Sequence, residues 1–383
     1  MEQINWYEMI YWAEDILFFC FMIFVGYLFI FAIASLKIER SKYPQTPKRY
    51  RYVILFPIKQ SDSIILDSVK SFLEQDYGKD YFDIVVVFSS LQKSVIQSLQ
   101  KLPVILLKDS NGENSRARLL EYATKQLDVS AYDVAVIMKP NNTVDENFLG
   151  EINKAYHSGG MVVQTHQVSK KIKTNTAILN AVSEEINNSI FRRGHVRLGF
   201  SAGLIGSGMA FNYKWLKDNI SKVKRGGLTK QLEAIILKQG VFIDYLEHVY
   251  TYDEKAKNVS AFNNQRRGWY SAERYSLKKA LKDFPKALFA GNFDYCDKIF
   301  QWMMPSKVLL LAFIVLGAIF LTSVDLALSI KWWVLLLVII FSFSISIPEK
   351  FANFRTLWAL IALPLLSVSI LRNLFRSHKQ YPD

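Results

Sequence analysis

The sequence predicts an α/β domain held between apolar helices that cross a membrane. Three observations predict it. Short apolar runs alternate with amphipathic stretches through the middle of the chain, long uncharged runs sit at both ends, and the flanking charge changes sign across the first of these runs. The chain has 383 residues, 51% of them hydrophobic and 14% aromatic. That excludes a disordered or collagen-like chain. Lys and Arg number 47 against 34 Asp and Glu, a formal charge of +13. A basic balance suits an anionic membrane surface, phosphorylated substrates or nucleic acid. No nucleic acid is expected as a partner, because the cations flank the apolar runs or scatter, and no basic, aromatic platform occurs. Two cysteines, Cys20 and Cys296, rule out a disulfide framework. No histidine stands at zinc-ligand spacing from either of them.

The elements follow in order. Ile16 to Leu36 carries no charge and is long enough to cross a hydrocarbon core of ~30 Å as a helix. Its leader is acidic (Glu2, Glu8, Glu14, Asp15), and Lys37, Arg40, Lys42, Lys48, Arg49 and Arg51 follow it. The acidic leader argues against a cleaved signal peptide. The charge asymmetry places the N-terminus outside and the following domain in the cytoplasm. Tyr52 to Phe56 reads as a strand ending at Pro57, Ile64 to Gln75 as a helix, and Ile84 to Phe88 and Val104 to Leu107 as strands. Ala117 to Gln126 reads as a helix and Val134 to Met138 as a strand. Buried-type strands alternating with helices predict a parallel sheet. Lys170, Lys171 and Lys173 read as a solvated or membrane-facing loop. Beyond the domain, Val308 to Leu321 and Val334 to Ile347 read as two spans, with Trp332 and Trp333 at an interface. Two spans leave Lys350 and Arg355 in the cytoplasm. A third crossing by Thr356 to Leu371, a run interrupted by Pro364, would carry Arg372, Arg376 and Lys379 outside, so that run reads as interfacial. The expected divisions are 1–40, a membrane helix; 45–290, the α/β domain; and 291–383, interfacial and membrane helices.

Three segments carry a resemblance. Val136 to Leu149 reads VIMKPNNTVDENFL, Leu198 to Phe211 reads LGFSAGLIGSGMAF, and Tyr252 to Trp269 reads YDEKAKNVSAFNNQRRGW. In order and spacing they resemble the membrane-bound branch of glycosyltransferase family 2, which includes cellulose, chitin and hyaluronan synthases. The first is similar to the strand and turn of that family's Asp-x-Asp motif, the second to its Gly-Thr-Gly-Met acceptor segment, and the third to the lead into Gln-x-x-Arg-Trp. The likeness runs over roughly residues 50 to 275. It implies a GT-A-type (Rossmann-like) mixed-sheet domain flanked by transmembrane helices. It also implies inverting transfer from a nucleotide-sugar, in cell-surface polysaccharide or glycolipid synthesis at a bacterial inner (plasma) membrane.

That chemistry needs a held base and diphosphate, a divalent cation and a carboxylate to deprotonate the acceptor. Carried over residue by residue, the resemblance finds the scaffold and loses the acids. The first strand keeps Pro57, but Ile58-Lys59-Gln60-Ser61 lacks the expected acid, with Asp62 one place on. Ser89 stands at the base-holding Asp, and Arg116 stands in for a Lys before a helix. Asp-x-Asp reads Lys139-Pro140-Asn141. Hard divalent cations need anionic oxygens, so no metal cofactor is expected. The Glu-Asp pair of the general base reads Lys230-Gln231. Glu233, two residues on, falls ~200° around a helix and reads as the acid that ordinarily follows the motif. The acceptor segment keeps Gly206, Ser207, Gly208 and Met209. Gln265 and Trp269 are kept, while Gly268 replaces the motif's Arg beside Arg266 and Arg267. Two functions follow from the resemblance. One is a degenerate transferase serving as partner or scaffold of an active glycosyltransferase or other synthase subunit. The other is an active, metal-independent inverting transferase in which Lys139 and Lys230 neutralise the donor diphosphate. The second lacks a base, which puts ~10²–10⁴ of rate at stake. Asp145, Glu146, Asp253 and Glu254 are acids, but the family places none of them at the reacting centre.

Overall fold

The computed structural model describes residues 6–37, 43–59, 64–110, 115–170, 172, 174–224, 227–253, 259–362, 368 and 370–372. In chain order the elements are α1 (Trp6–Ala34), β1 (Tyr52–Ile58), α2 (Ile65–Leu73), β2 (Phe82–Phe88), α3 (Lys93–Leu99), β3 (Ile105–Lys108) and α4 (Arg116–Gln126). There follow β4 (Val134–Ile137), β5 (Asn142–Val144), α5 (Phe148–His157), β6 (Val162–Ser169) and α6 (Asn175–Asn188). A π-helical turn (Ser189–Gly194) leads into α7 (His195–Arg197), then β7 (Met209–Asn212), α8 (Tyr213–Ile220), α9 (Leu228–Lys238) and β8 (Ile243–Asp253). The chain continues through α10 (Val259–Phe289), α11 (Phe293–Met303), α12 (Lys307–Val324), α13 (Leu326–Ser346) and α14 (Phe354–Ala359).

The strands form one sheet in the order β3-β2-β1-β4-β7-β6-β8-β5. The expected parallel pairing holds from β3 to β4. The second half is mixed: β7 runs antiparallel to both β4 and β6, β8 runs parallel to β6, and β5 runs antiparallel to β8. The loop entering β7 makes this reversal with Gly206 and Gly208 at φ of +88° and +62°, a region open mainly to glycine.

Every residue of β1 is buried, because helices cover both faces of the sheet. Tyr52, Ile54 and Phe56 pack with Phe72 and Phe148 on one face, and Val53 and Leu55 pack with Leu120, Leu216 and Leu232 on the other. Pro57 survives inside this strand for a local reason. Leu55 C=O accepts Met138 N–H (3.0 Å), so the odd-numbered residues of β1 address β4, and β4 ends opposite Leu55. The missing proline N–H therefore leaves no ladder bond unmade. The same core continues into α11 through Tyr295, Ile299 and Trp302.

Among the described residues, three helices are long and apolar enough to cross a membrane: Tyr11–Ala34, Lys307–Val324 and Leu326–Ser346. The first expected run, Ile16 to Leu36, thus belongs to a helix that begins upstream and ends at Ala34. Val25, Leu28, Ile314, Trp332 and Ile339 pack among themselves, while Trp12, Phe320, Val324 and Leu337 turn outward. A broad outward apolar surface is what a lipid-facing bundle requires. α1 and α13 run the same way. Glu14 and Asp15 meet Lys331 at one end (2.6 Å each), and at the other end Phe31 and Ser346 both contact the π-helical turn. Of the run Thr356 to Leu371, α14, a short 3-10 turn after it and helical residues 368, 370 and 371 are described, and Pro364 lies outside the described residues.

Candidate functional site

Ligands of open α/β sheets bind outside the carboxyl ends of the strands. That edge gathers Pro57 near the end of β1, Ser89 just past β2, Lys139 to Asn141 just past β4, and the 206–209 loop entering the neighbouring β7. Arg116 opens α4, whose cap is Ser115, accepting from Arg118 N–H at 3.2 Å. The Ser89 hydroxyl is buried with no hydrogen-bond partner among the described residues. Asp62 and Glu254 lie outside the described residues, as do Lys171 and Lys173.

The acceptor-type loop is tied to the β4–β5 turn. Lys139 N–H donates to Ser207 Oγ (3.0 Å), and the Ser207 hydroxyl donates to Asn142 Oδ1 (3.2 Å). A Cβ on Gly206 would stand 2.8 Å from Thr229 Oγ1 and 3.8 Å from Lys139 Cε. The lysine stem thus runs beside this loop. A Cβ on Gly208 would collide with the Thr165 and Thr251 hydroxyls, which hydrogen-bond each other at 2.7 Å. Met209 is buried in the core. Asn141 Nδ2 donates to Asp253 Oδ1 (2.8 Å), and Gln167 Nε2 donates to Asp253 Oδ2 (2.9 Å). Asp253, one of the acids weighed from sequence, therefore sits one hydrogen bond from Asn141 with both oxygens engaged.

At the base position, Lys230 and Gln231 lie in the first turn of α9. Gln231 folds onto the preceding loop, accepting Lys224 N–H (2.9 Å) and donating to Lys224 C=O (3.1 Å). Lys230 Nζ lies 3.3 Å from Glu233 Oε2. Glu233 is wholly buried, accepts Leu204 N–H (3.0 Å) and lies 3.4 Å from Lys298 Nζ of α11. Burial opposes its ionisation, yet Lys230 and Lys298 hold the carboxyl below its usual range. Glu273 of α10 belongs to the same cluster. Burial pushes its carboxyl up, and Lys230 only partly offsets this. Gln265, Arg267 and Trp269 fall on α10, but their side chains lie outside the described residues.

Glu233 as the centre of a triad, and Glu273 and Lys298 as its neighbours, escaped sequence reasoning. The i,i+3 spacing of Lys230 and Glu233 was the available signal. Lys298 had none, since it arrives from a helix beyond the last motif.

Lys298 extends the network towards the membrane. Its ammonium donates to Gln301 Oε1 (3.0 Å), and Gln301 Nε2 donates to Asp297 Oδ2 (2.7 Å) and lies 2.9 Å from His195 Nε2. Tyr27 of α1 donates its hydroxyl to Asp297 Oδ1 (2.6 Å). His195 is fully buried and stacks on Phe31 of α1 at 3.7 Å.

Comparison with solved structures settles the fold. The chain is similar to the mannosyltransferase PcManGT of Pyrobaculum calidifontis, solved in complex with GDP-Man and Mn2+ (TM-score 0.54, 16% identity, 87% of this chain and 97% of that chain). The fold is glycosyltransferase-like. The expected GT-A-type mixed sheet, flanked by helices apolar enough to span a membrane, is the architecture observed. A further similar structure is S. aureus TarS 1-349 (TM-score 0.45, 13% identity, 87% of this chain and 93% of that chain). TarS 1-349 has also been solved with UDP-GlcNAc (TM-score 0.43, 14% identity, 87% and 93%). No protein-family profile and no curated protein matches the sequence.

Proposed function

We propose that this chain is a membrane-anchored, glycosyltransferase family 2-like protein of cell-surface polysaccharide or glycolipid synthesis. In this reading it is catalytically degenerate and serves as partner or scaffold of an active synthase. Its domain lies on the cytoplasmic face of a bacterial inner membrane. One observation carries the proposal: the positions this fold would use for chemistry hold side chains engaged within the protein. Gln231 binds the Lys224 backbone, Lys230 pairs with Glu233, and Asn141 binds Asp253. The neighbouring mannosyltransferase was solved with Mn2+. Here the donor set is a lysine, an amide and one carboxylate whose two oxygens already accept from amides, which does not fit a hard divalent cation. We therefore propose that no metal serves as cofactor.

Glu273 favours a second reading. A carboxyl that burial raises above its ordinary range, beside Lys230, is the kind of group that can serve as a base. The base that a metal-free transferase lacks in the sequence motifs could then come from α10. The deciding experiment uses the full chain purified in detergent with a panel of UDP- and GDP-sugars, followed by nucleotide release. No release is expected with or without chelator, and Mn²⁺ is expected to leave the melting temperature unchanged. Turnover that persists in chelator and is lost in Glu273→Gln and Lys230→Ala would replace the degenerate reading with the second one.

A further inference from the structure

The second half of α10 leaves one face uncovered. Leu277, Ala280, Phe284 and Ala287 pack into the domain core, so the opposite side of the helix faces outward. That side carries Arg274, Lys278, Lys279, Lys282 and Lys286, all exposed. None of the five pairs with an acid among the described residues. Asp283, the one acid between Arg274 and Phe289, faces Lys238 at 2.8 Å. Lys278, Lys282 and Lys286 recur every fourth residue and form a single row, in which like charges repel. Leu281 and Leu288, two turns apart and both exposed, form an apolar row beside it. Phe289 ends the helix 91% exposed, and Phe293, across the turn in α11, is 61% exposed.

Packing fixes where this face stands relative to the membrane helices. α11 runs antiparallel to the last turns of α1: Phe300 meets Phe24 (5.6 Å) and Tyr27 (4.9 Å), and Asp297 accepts from Tyr27 (2.6 Å). One turn earlier in α11, Asp294 accepts Ser201 N–H (2.8 Å), and the neighbouring Phe200 meets the Phe31 ring (5.9 Å). The α10–α11 turn therefore stands beside the last turn of α1, a helix long and apolar enough to cross a bilayer. Charged headgroups lie at that level.

We propose that this face of α10 docks on anionic phospholipid headgroups, the lysine row meeting phosphates while Leu281, Leu288, Phe289 and Phe293 enter the layer beneath. An apolar row beside a cationic one, with no acid of the chain to neutralise it, is what a helix lying in a charged interface requires. Lysine stems cover apolar surface while their ammoniums reach the phosphates. The proposal rests on the reading of α1, α12 and α13 as membrane spans. The test reconstitutes the full chain into nanodiscs of phosphatidylcholine alone and of phosphatidylcholine mixed with phosphatidylglycerol, and follows backbone hydrogen exchange by mass spectrometry. Exchange over residues 278–293 should slow by about tenfold or more when phosphatidylglycerol is present, with α3 and α4 unchanged, and high salt should reverse the effect. Each cation near an anionic surface is worth roughly a fivefold preference, so Lys278→Gln, Lys282→Gln and Lys286→Gln together should remove most of that protection. A chain that does not enter the discs overturns the membrane reading and the proposal with it. Equal exchange in both discs leaves the face to an acidic protein surface and overturns the proposal alone, as does protection that the triple variant retains. Protection that is the same in both lipids and is lost in Phe289→Ser shows apolar contact without headgroup recognition, and overturns it too.

Discussion

Replacing Glu233 by Gln keeps the side chain's shape and removes its charge. The consequence is set by Lys298, which is 1% exposed and lies 3.4 Å from the carboxylate. Lys230 is different: its side chain is 32% exposed and can turn to water. Only Lys298 is stranded as an uncompensated buried cation. Breaking a buried pair in this way costs about 3–5 kcal/mol. At about 2–4 °C per kcal/mol for a domain of this size, the melting temperature should fall by roughly 6–20 °C. The assay is intrinsic-fluorescence melting of the full chain in one detergent at pH 7. The double change Glu233→Leu with Lys298→Met removes both charges and should recover most of the loss, because apolar replacement of a whole buried pair is close to neutral or stabilising. A single variant that melts within about 2 °C of the parent, or a double variant no better than the single, would refute the claim that Lys298 depends on Glu233.

Two further outcomes follow. Glu185 accepts from His166 (3.1 Å) and Lys350 (2.8 Å); burial acts to raise its carboxyl, but these partners hold it down at about 2, against an ordinary 4.5. A depressed carboxyl contributes fully above its unfolded value and loses that contribution as pH falls through the window from 4.5 to 2. Stability should drop by about 3 kcal/mol across that window, and Glu185→Gln should flatten this acid limb in a series of melting curves taken against pH. The second concerns two left-handed glycines: Gly208, at φ +62°, whose Cβ would strike Thr165 and Thr251, and Gly240, at φ +68°, whose Cβ would meet nothing within 4 Å. Gly240→Ala should cost only the backbone penalty of about 1–2 kcal/mol, and Gly208→Ala at least twice that, so equal losses in melting temperature would contradict the packing described.

The first half of the sheet was legible because its strands are buried on both faces and read as unbroken apolar runs, YVILFPI and FDIVVVF among them. The second half hid behind polar residues. β6 reads VVQTHQVS, yet Gln164, Thr165, His166 and Gln167 are buried, each paid for by partners far along the chain. Gln164, for one, donates to the Ser207 carbonyl at 3.0 Å and accepts from Ile205 N–H at 2.9 Å. No period of two in hydrophobicity survives where such residues face inward. The site divides the same way. Lys139 and Gly206 to Met209 were legible from their local motif. Glu273 and Lys298 depend on how α10 and α11 return to α9, which is tertiary information.

The Tyr27–Asp297 hydrogen bond joins residues 270 positions apart, and the Tyr27–His195 contact joins residues 168 apart. At a synthesis rate of ~5–20 residues per second, about 15–50 s separate the emergence of Tyr27 from that of Asp297. Through that interval the first helix carries a phenol whose carboxylate partner, Asp297, does not yet exist. The seam between helix and domain is therefore completed only once α11 has been made, after β1 to β8. A ribosome stalled before α11 would expose a sheet-bearing chain whose anchor is held by the Phe31–His195 stack without the Asp297 bond, which is the form a quality-control protease would meet.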